Sequence, residues 1–201
     1  MKTLTLAVLI FCLGISLPAS AQSRRELSST GGPKNFYVSV CSGINSNTGV
    51  FGIQIEQKIA EHLAVYMGAG MGTWGTKVTV GTRYYFTHPL GSAFSFSLTN
   101  ASGELSSKDN LKVIENGQEV KKVIYYNAKP ISLINFSWLK YWQMGKKSRF
   151  NIEVGYCISL SPTPELNYSL KDATVQLTDQ SKQTIAMRQP GGVLIGFGFN
   201  F

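Results

Sequence analysis

The chain has 201 residues, with 19 Lys and Arg against 11 Asp and Glu, and its mean hydropathy is close to zero at +0.01. This length suits one domain. Beyond the N-terminal segment, no stretch approaches the ~20 consecutive apolar residues of a membrane-spanning helix. Any membrane span in this chain would therefore consist of strands of ~9 to 11 residues, whose sequence pattern is an alternation of polarity.

The N-terminal segment, residues 1–21, combines a basic start, an apolar run and a final Ala-Ser-Ala sequence. This is the pattern of a secretory signal peptide, with cleavage predicted between Ala21 and Gln22. Residues 22–34 are polar and are expected to form an N-terminal tail in the periplasm. The folded domain is then expected to comprise residues 35–201.

Eight segments alternate between apolar and polar residues and predict eight β-strands. The clearest is the second, in which Phe51 and Ile53 share one face with every second residue. In the sixth, Lys140 falls on the face of Phe136 and Trp138, near a strand end where its ammonium can reach water. The predicted strands are 35–42, 49–59, 62–72, 75–86, 92–100, 131–142, 149–160 and 191–201.

The links between these strands alternate in length, as expected for a barrel that crosses a membrane with both ends on one side. Short periplasmic turns alternate with outer links, namely two short links, 43–48 and 73–74, and two long loops, 101–130 and 161–190. In the first long loop, Asn116-Gly117 predicts a type I′ hairpin, so a two-stranded ribbon is expected there. The second long loop, with 174–177 and 183–186 as its apolar segments, is expected to form a similar ribbon.

Glycine indicates which face of the strands points inward. Glycine weakens a strand and marks close approach, which has little reason to occur repeatedly on the wet exterior of a soluble barrel. The interior of an eight-stranded barrel is only wide enough for side chains, so glycines there would make room for Tyr66, Arg83 and Tyr85. An all-β, eight-stranded antiparallel up-and-down transmembrane β-barrel with a polar lumen is therefore predicted. The glycines on the polar face are Gly52, Gly68, Gly70, Gly72, Gly81, Gly155, Gly196 and Gly198.

Aromatic residues collect at the predicted periplasmic strand ends. Such a girdle is typical of a membrane interface, although aromatic residues also favour strands in general. At the opposite ends, Trp74 and Tyr156 are the main candidates for a second girdle. The residues of the expected periplasmic girdle are Phe36, Tyr84, Phe86, Phe94, Trp142, Phe150 and Phe201.

The final strand carries a resemblance to a known family. Residues 191–201 alternate strictly, with Phe197, Phe199 and Phe201 on the apolar face. Together with the export signal and the strand pattern, this segment resembles the small eight-stranded outer-membrane β-barrels of Gram-negative bacteria, the OmpA/OmpX-like or "porin family" barrels. The resemblance implies location in the bacterial outer membrane and contact with outer-membrane lipid. It also implies that the three phenylalanines act as a C-terminal signal for the barrel-assembly machinery. No peptidoglycan-binding domain is expected after Phe201.

Four charged residues are predicted to face the lumen: Glu56, Lys77, Arg83 and Glu153. Because a guanidinium carries five donors, Arg83 is expected to join the two carboxylates. Paired carboxylates also suit acid/base catalysis or a proton path, but buried charges normally have to be paired. The favoured interpretation is a set of ion pairs that fills the lumen.

The basic excess lies mainly at the periplasmic end. Removing Lys2 with the signal lowers the net charge from +8 to +7, and the two long loops are nearly balanced. A basic rim would suit anionic lipid headgroups, and a solvated rim without a partner is an equal alternative. Nucleic acid is not expected as a partner of an exported barrel. The residues of this expected rim are Arg24, Arg25, Lys34, Lys58, Lys140, Lys146, Lys147 and Arg149.

Cys41 and Cys157 are expected to be free thiols. Both have inward parity near the same predicted barrel end, but the eighth strand separates the first and seventh strands that carry them. Neighbouring strands lie ~4.8 Å apart, so the two Cα atoms would exceed the ~7 Å limit for a disulfide. An exported protein would otherwise permit one.

No enzymatic site, cofactor or metal is expected. The histidines, His62 and His88, fall in predicted periplasmic turns, and Ser95, Ser97 and Ser159 face the lumen without a nearby base. The predicted function is a non-enzymatic structural or surface-interaction role of the long outer loops, through an extracellular or membrane-protein partner. The alternatives are an enzyme that modifies lipid A and an accessory subunit of a secretion or uptake complex.

Overall fold

The fold was analysed in a computed structural model that describes residues 35–86, 91–115, 118–144, 148–161, 164–172 and 175–201. The expected signal peptide, the tail, His88 and the Asn116-Gly117 turn lie outside these ranges. In the described part of the chain, no helix is both long enough and apolar enough to cross a membrane.

Eight antiparallel strands close into one barrel, in the order β1-β12-β9-β8-β5-β4-β3-β2. The first and last strands close it, from Ser39 opposite Asn200 to Ile44 opposite Ile195. All eight predicted barrel strands are confirmed, each with both ends within two residues of the prediction. The barrel strands are β1 Phe36–Ile44, β2 Phe51–Lys58, β3 Leu63–Gly72, β4 Gly75–Tyr85, β5 Ser92–Ala101, β8 Ile131–Met144, β9 Ser148–Ser159 and β12 Gly192–Asn200.

The barrel has its polarity reversed relative to a water-soluble protein. In β2, Phe51 and Ile53 are 62% and 57% exposed, whereas Gln54 and Glu56, which have the opposite parity, are 2% and 1% exposed. Every second residue of a strand shares a face, so the same reversal runs along the other strands. The apolar face points outward and the polar face lines the lumen, as the glycine pattern predicted.

The strand with the least regular alternation, β8, follows the predicted parity. Phe136, Trp138 and Trp142 are exposed on the outer surface, whereas Leu139 and Tyr141 are buried. Lys140 shares the outer face and is only partly exposed. The two strands beside β8 place their apolar residues on the same outer face. Trp138 pairs with Phe94 of β5 and with Val154 of β9.

A second sheet of four strands, in the order β10-β7-β6-β11, is formed by the two long loops. The hairpin predicted around Asn116-Gly117 is confirmed in its two strands, which pair from Ser107 opposite Tyr126 to Glu115 opposite Gln118. We call this sheet and the helix beside it the cap, and the barrel end that carries it the cap end. The elements are β6 Ser107–Glu115, β7 Gln118–Ala128, a 3₁₀ helix Pro164–Asn167, β10 Tyr168–Leu170, β11 Gln176–Leu177 and helix α1 Asp179–Arg188.

The expectation of a second ribbon in the loop 161–190 is wrong. Residues 176–177 form a strand, but 183–186 lie in α1. Thr178 caps the helix by accepting a hydrogen bond from Ser181 N through its side chain, a favourable arrangement at a helix N-terminus. The four-residue apolar segment was too short to distinguish a strand from one buried helical turn.

The cap has its own hydrophobic core. This core reaches down to the barrel rim and includes Trp74, whose Nε1 donates to Lys129 O at 2.9 Å. The suggestion that Trp74 belongs to an exposed girdle is therefore wrong, whereas Tyr156 is exposed on β9. The buried residues of this core are Trp74, Ala101, Leu111, Val113, Ile124, Tyr126, Ala128, Ile131, Leu133, Leu177 and Ile185.

The space around each inward glycine predicts how well alanine is tolerated there, and this space differs sharply between positions. A Cβ at Gly81 would lie 2.5 Å from Phe96 O and 2.7 Å from Tyr66 Cζ, whereas the nearest atom to a Cβ at Gly196 is 3.4 Å away. Overpacking a filled interior costs ~1–3 kcal/mol. We expect Gly81→Ala to lower the urea midpoint of the refolded protein and Gly196→Ala to leave it nearly unchanged. Equal midpoints for the two variants would contradict the crowding at Gly81.

Candidate functional site in the lumen and the cap

The loop between β1 and β2 folds into the lumen from the cap end. Ser46, Asn47 and Thr48 are all buried, at 3% exposure or less. The loop turns back through left-handed backbone at Asn45 (φ 51°) and Gly49 (φ 85°). This segment was expected to be a short outer link, and its insertion into the barrel was not predicted. We call residues 45–49 the plug.

Asn47 fixes the plug with every hydrogen-bonding group of its side-chain amide. Nδ2 donates to Glu153 Oε1 at 2.7 Å and to Tyr66 Oη at 3.2 Å. Oδ1 accepts from Ser97 Oγ at 3.0 Å and from Asn135 Nδ2 at 2.9 Å. An amide has two donors and two acceptor sites. The amide is therefore saturated.

Four of the inward glycines make room for this plug. A Cβ at Gly52, Gly68 or Gly70 would collide with Thr48, and one at Gly43 would meet Ser46. The prediction that inward glycines accommodate large side chains holds for Tyr66, which lies against Gly81. The cluster Asn-Ser-Asn-Thr-Gly between two glycine-rich strands was the available signal for the plug, because small polar residues can pack against bare backbone.

The other half of the lumen is organised around one carboxylate. Glu56 Oε2 accepts from Arg83 Nη1 at 2.5 Å, and Glu56 Oε1 accepts from Arg149 Nη2 at 2.6 Å and from Tyr85 Oη at 2.5 Å. The side chains of Glu56, Arg83 and Arg149 are 0–2% exposed. Such pairs are retained when the geometry is good and the remaining donors are used.

The expected bridge from Arg83 to both carboxylates is replaced by two separate networks. Arg83 binds Glu56 and, through Nη2, Gln54 Oε1 at 3.1 Å. Glu153 accepts instead from Asn47 and from Ser137 Oγ at 2.5 Å. Glu153 therefore belongs to the hydrogen-bond network that holds the plug.

Arg149 and Lys58 are lumen residues, which corrects their placement on a basic outer rim. Both are buried. Arg149 Cζ lies 3.8 Å from the ring centroid of Tyr37 and 4.3 Å from that of Tyr141, and Lys58 Nζ lies 5.0 Å from that of Tyr85. Cations over aromatic faces are stabilised by the ring quadrupole. Of the other expected rim residues, the structure describes only Lys140, on the outer surface.

Lys77 lies nearer the cap end, apart from both carboxylates. It is buried, and its Nζ donates to Ser46 O of the plug at 3.4 Å. Its position beside the plug rather than beside an acid explains why it takes no part in the ion pairs of Glu56.

Both cysteines are free thiols. Cys41 pairs with Gly198 of β12, whereas Cys157 pairs with Gly192 of the same strand. Both lie toward the cap-side ends of their strands, Cys41 three residues before Ile44 and Cys157 two residues before Ser159. Cys157 Sγ contacts Asn45 O at 3.2 Å, so this thiol packs against the plug.

An aromatic belt surrounds the outer surface at the barrel end opposite the cap, which we call the belt end. Its seven members are those expected from the sequence, from Phe36 to Phe201. Ring centroids are 6.0 Å apart for Trp142 and Phe150, and 4.8 Å for Phe199 and Phe201. Phe197 also faces outward. The role of these terminal phenylalanines as an assembly signal stays a prediction.

The cap is tied together by a polar clasp between α1 and β6. Arg188 Nη2 binds Asp109 Oδ1 at 2.7 Å, and Tyr126 Oη donates to Asp109 Oδ2 at 2.9 Å. Burial and the bond to Asp109 raise the pKa of Tyr126 to about 12, so the phenol remains a donor. Ser181 Oγ accepts from Lys112 N at 2.9 Å and donates to Lys112 O at 2.8 Å. These bonds cover the edge of β6.

The residues considered for catalysis are separated. His62 Nδ1 binds Tyr85 O at 2.8 Å at the belt end. Ser95 shares a bond with Tyr66, Ser97 donates to Asn47, and Ser159 accepts from Ser161 N. Among the residues that the structure describes, no group of three or more His, Cys, Asp or Glu could hold a metal ion.

The two networks predict different consequences of neutralising each carboxylate. Glu56→Gln leaves two buried guanidinium groups without their charge partner, which costs ~3–5 kcal/mol. Glu153→Gln keeps an oxygen that can accept from Asn47 and Ser137. In urea unfolding of the refolded protein, we expect a large fall in midpoint for the first variant and a small one for the second. A larger fall for Glu153→Gln would contradict the separation of the networks.

A scan against protein-family models finds no match for this chain, and a search of curated proteins finds no similar sequence. The closed eight-stranded antiparallel barrel is consistent with a small outer-membrane barrel.

Proposed function

We propose that this protein spans the outer membrane of a Gram-negative bacterium as a closed barrel and acts, without catalysis, by presenting its cap to a partner outside. The observation that carries the membrane assignment is the reversed polarity of the barrel. Large apolar side chains stand exposed on its outer wall, while carboxylates and guanidinium groups are buried within it.

The outer wall fits lipid better than water. The largest apolar patch of a soluble monomer is typically ~300–600 Å², whereas here apolar side chains are exposed on every barrel strand. Closure adds support, because a closed barrel leaves no strand edge with unsatisfied backbone groups in the hydrocarbon. The wall would therefore be solvated by acyl chains.

The aromatic belt marks one membrane surface, and the lengths of the loops support an orientation. Trp and Tyr favour the interface between headgroups and acyl chains, so the belt would lie at one membrane surface. Lys140 lies two residues from both Trp138 and Trp142 on the outer face, where its ammonium can reach anionic headgroups. The links between strands are short at the belt end, whereas the two long loops are at the cap end. Outer-membrane barrels have short periplasmic turns and longer outer loops, so the belt end would face the periplasm and the cap would face the outside.

The filled lumen supports a role other than conduction. Asn47 and its partners occupy the cap half, and Glu56 with its two arginines occupies the belt half. Eight strands leave room only for side chains. The activity is therefore assigned to the outer surfaces and not to a channel.

The cap provides a pre-ordered surface for a partner. The sheet face opposite the cap core exposes Val123 and Tyr125, beside Asn110 and Lys108 on the neighbouring strand. Lys112 and Lys121 lie opposite each other in the ladder between β6 and β7, on the same face. Aromatic residues such as Tyr125 are enriched in the centre of protein-binding sites, and polar residues such as the surrounding lysines belong to the rim of such sites. The cap core holds this face in place, so little order would have to be gained on binding.

A lipid-A-modifying enzyme would need a nucleophile and a base at the level of the outer leaflet. The described histidine, His62, is at the belt end, which in this orientation faces the periplasm. The surface-interaction role is therefore preferred.

Labelling of single cysteines would test the orientation. The background is a variant in which Cys41 and Cys157 are replaced by serine. In this background, we expect Glu119→Cys to react with a membrane-impermeant maleimide on intact cells. Ser148→Cys, at the belt end, should react only after permeabilisation. The reverse pattern would invalidate the orientation, and recovery of the mature protein as a soluble periplasmic species would invalidate the membrane barrel itself.

Site-specific crosslinking would test the role of the cap. A photoreactive residue at Val123 should give a discrete crosslinked adduct in cells, whereas one at Gln143, at the belt end, should not give that adduct. The same adduct from both positions would indicate nonspecific capture. No adduct from Val123 would argue for a purely structural barrel.

A further inference from the structure

One face of the cap sheet gathers four lysines around an exposed tyrosine. In the ladder between β6 and β7, Lys108 lies opposite Tyr125 and Lys112 lies opposite Lys121. Lys171 follows β10 directly, and its backbone N–H donates to Tyr125 O at 3.1 Å. It therefore extends the row of Lys108 and Tyr125 across a third strand. All five residues are at least partly exposed, and we call them the basic face.

The basic face carries more positive charge than the fold neutralises. On the described strands of this sheet face, the one acidic side chain is Glu119, whose Oε2 lies 3.3 Å from Lys112 Nζ. Lys171 Nζ donates to the neutral Ser106 Oγ at 2.6 Å. Like charges directly opposite each other destabilise a sheet, and Lys112 and Lys121 form such a pair. Folding alone does not explain this excess charge, whereas an anionic ligand does.

The basic face continues the outer wall of the barrel. The other face of the cap sheet packs its core against Ala101 and Ile131, the inward residues at the cap-side ends of β5 and β8. At the same strand ends, the outward residues Asn100 and Ser132 form a hydrogen bond of 3.1 Å, so the apolar wall gives way to polar side chains there. In the proposed orientation this level is the outer membrane surface, and the basic face lies directly beyond it.

The composition of the basic face fits lipid phosphates better than a protein surface. Lys is depleted and Arg enriched in protein interfaces, and the described strands contribute four lysines and no arginine to this face. An ammonium is a point charge on a flexible stem, which suits phosphates whose spacing is not fixed. Tyr favours the membrane–water interface. The outer leaflet of a Gram-negative outer membrane consists largely of phosphorylated glycolipid.

We propose that the basic face binds the phosphate groups of lipopolysaccharide in the outer leaflet around the barrel. The inference rests on the proposed function, because it requires the cap to face outside, and it names the partner of this face. Lys108 and Lys171 flank Tyr125 in the row nearest the barrel and bind the phosphates closest to the lipid. Lys112 and Lys121 bind phosphates further from the membrane, which neutralise the repulsion within this pair.

Binding by the purified full chain tests this assignment. The protein is refolded in a zwitterionic detergent and titrated with purified lipopolysaccharide, or with the same material after enzymatic removal of its phosphates. We expect the phosphorylated form to bind ~10-fold or more tightly, with an affinity that falls as salt is added, because the contacts are exposed ion pairs. Equal affinities for the two forms would overturn the proposal.

Paired substitutions locate the site. Lys112→Gln with Lys121→Gln, and separately Lys108→Gln with Lys171→Gln, each remove two charges from the basic face. Each pair should weaken binding by roughly 25-fold, about 5-fold for each lysine near an anionic surface. The urea midpoint of the first pair should not fall, because the repulsion between the two lysines is relieved. Unchanged affinity in both pairs would overturn the proposal.

A matched pair controls for net charge. Lys122→Gln with Lys182→Gln removes two exposed lysines elsewhere in the cap, where they bind Glu115 and Asp179. The affinity for lipopolysaccharide should stay nearly unchanged in this variant. A loss as large as that of the basic-face pairs would mean that overall charge controls binding, and would overturn the proposal.

Competition separates a lipid from a protein partner. Poly-L-glutamate represents an acidic protein segment, and we expect it to displace lipopolysaccharide only weakly. Displacement at equal concentrations of carboxylate and phosphate would assign the face to an acidic protein and overturn the lipid assignment. Labelling of Glu119→Cys on intact cells decides the orientation separately. If the cap is labelled from outside and lipopolysaccharide does not bind, this inference alone fails; labelling of the belt end from outside would overturn both proposals.

Discussion

The narrowness of an eight-stranded barrel is the constraint on which the rest of this structure depends. Its interior is too small for bulk water, so most inward polar groups have hydrogen-bond partners within the barrel. In the cap half, the side-chain amide of Asn47 meets this constraint by donating two hydrogen bonds and accepting two. Glu56 meets it in the other half by accepting from three donors. Bare backbone at the inward glycines makes the space in which the plug fits.

Satisfying the interior links distant segments of the chain. The plug between β1 and β2 contacts β3, β5, β8 and β9 through Asn47 alone, and Arg149 of β9 meets Glu56 of β2 across the lumen. Removing one partner leaves a buried polar group or charge unpaired, which is costlier than never having buried the pair. The lumen is thus mainly a polar core with one small apolar cluster, whereas the larger hydrophobic core lies in the cap. The apolar cluster of the lumen consists of Ala64, Tyr85, Ala93, Leu139 and Tyr141.

The alternation of apolar and polar residues was sufficient to predict the strands and their faces. A shift of one residue would turn every apolar side chain to the wrong face, so the pattern permits only one parity. Glycine parity correctly chose the lumen. The plug was not predicted, because a loop has no period and its burial depends on the space left by four other strands. Arg149 was assigned to a rim because it is near a strand end; only the tilt and register of the closed barrel bring it opposite Glu56. The helix α1 was missed because its single buried apolar residue, Ile185, gives no helical stripe.

The division between a polar interior and a folded cap separates stability from recognition. The lumen networks can be altered without touching any residue that a partner in solution could reach, since Glu56, Asn47 and Arg83 are all buried. The cap, in turn, is fixed by its own core and by the clasp of Asp109 with Arg188. Its outer face around Val123 and Tyr125 contributes little to either set of contacts. Substitutions there should therefore cost little stability, which leaves that face open to selection for a binding partner.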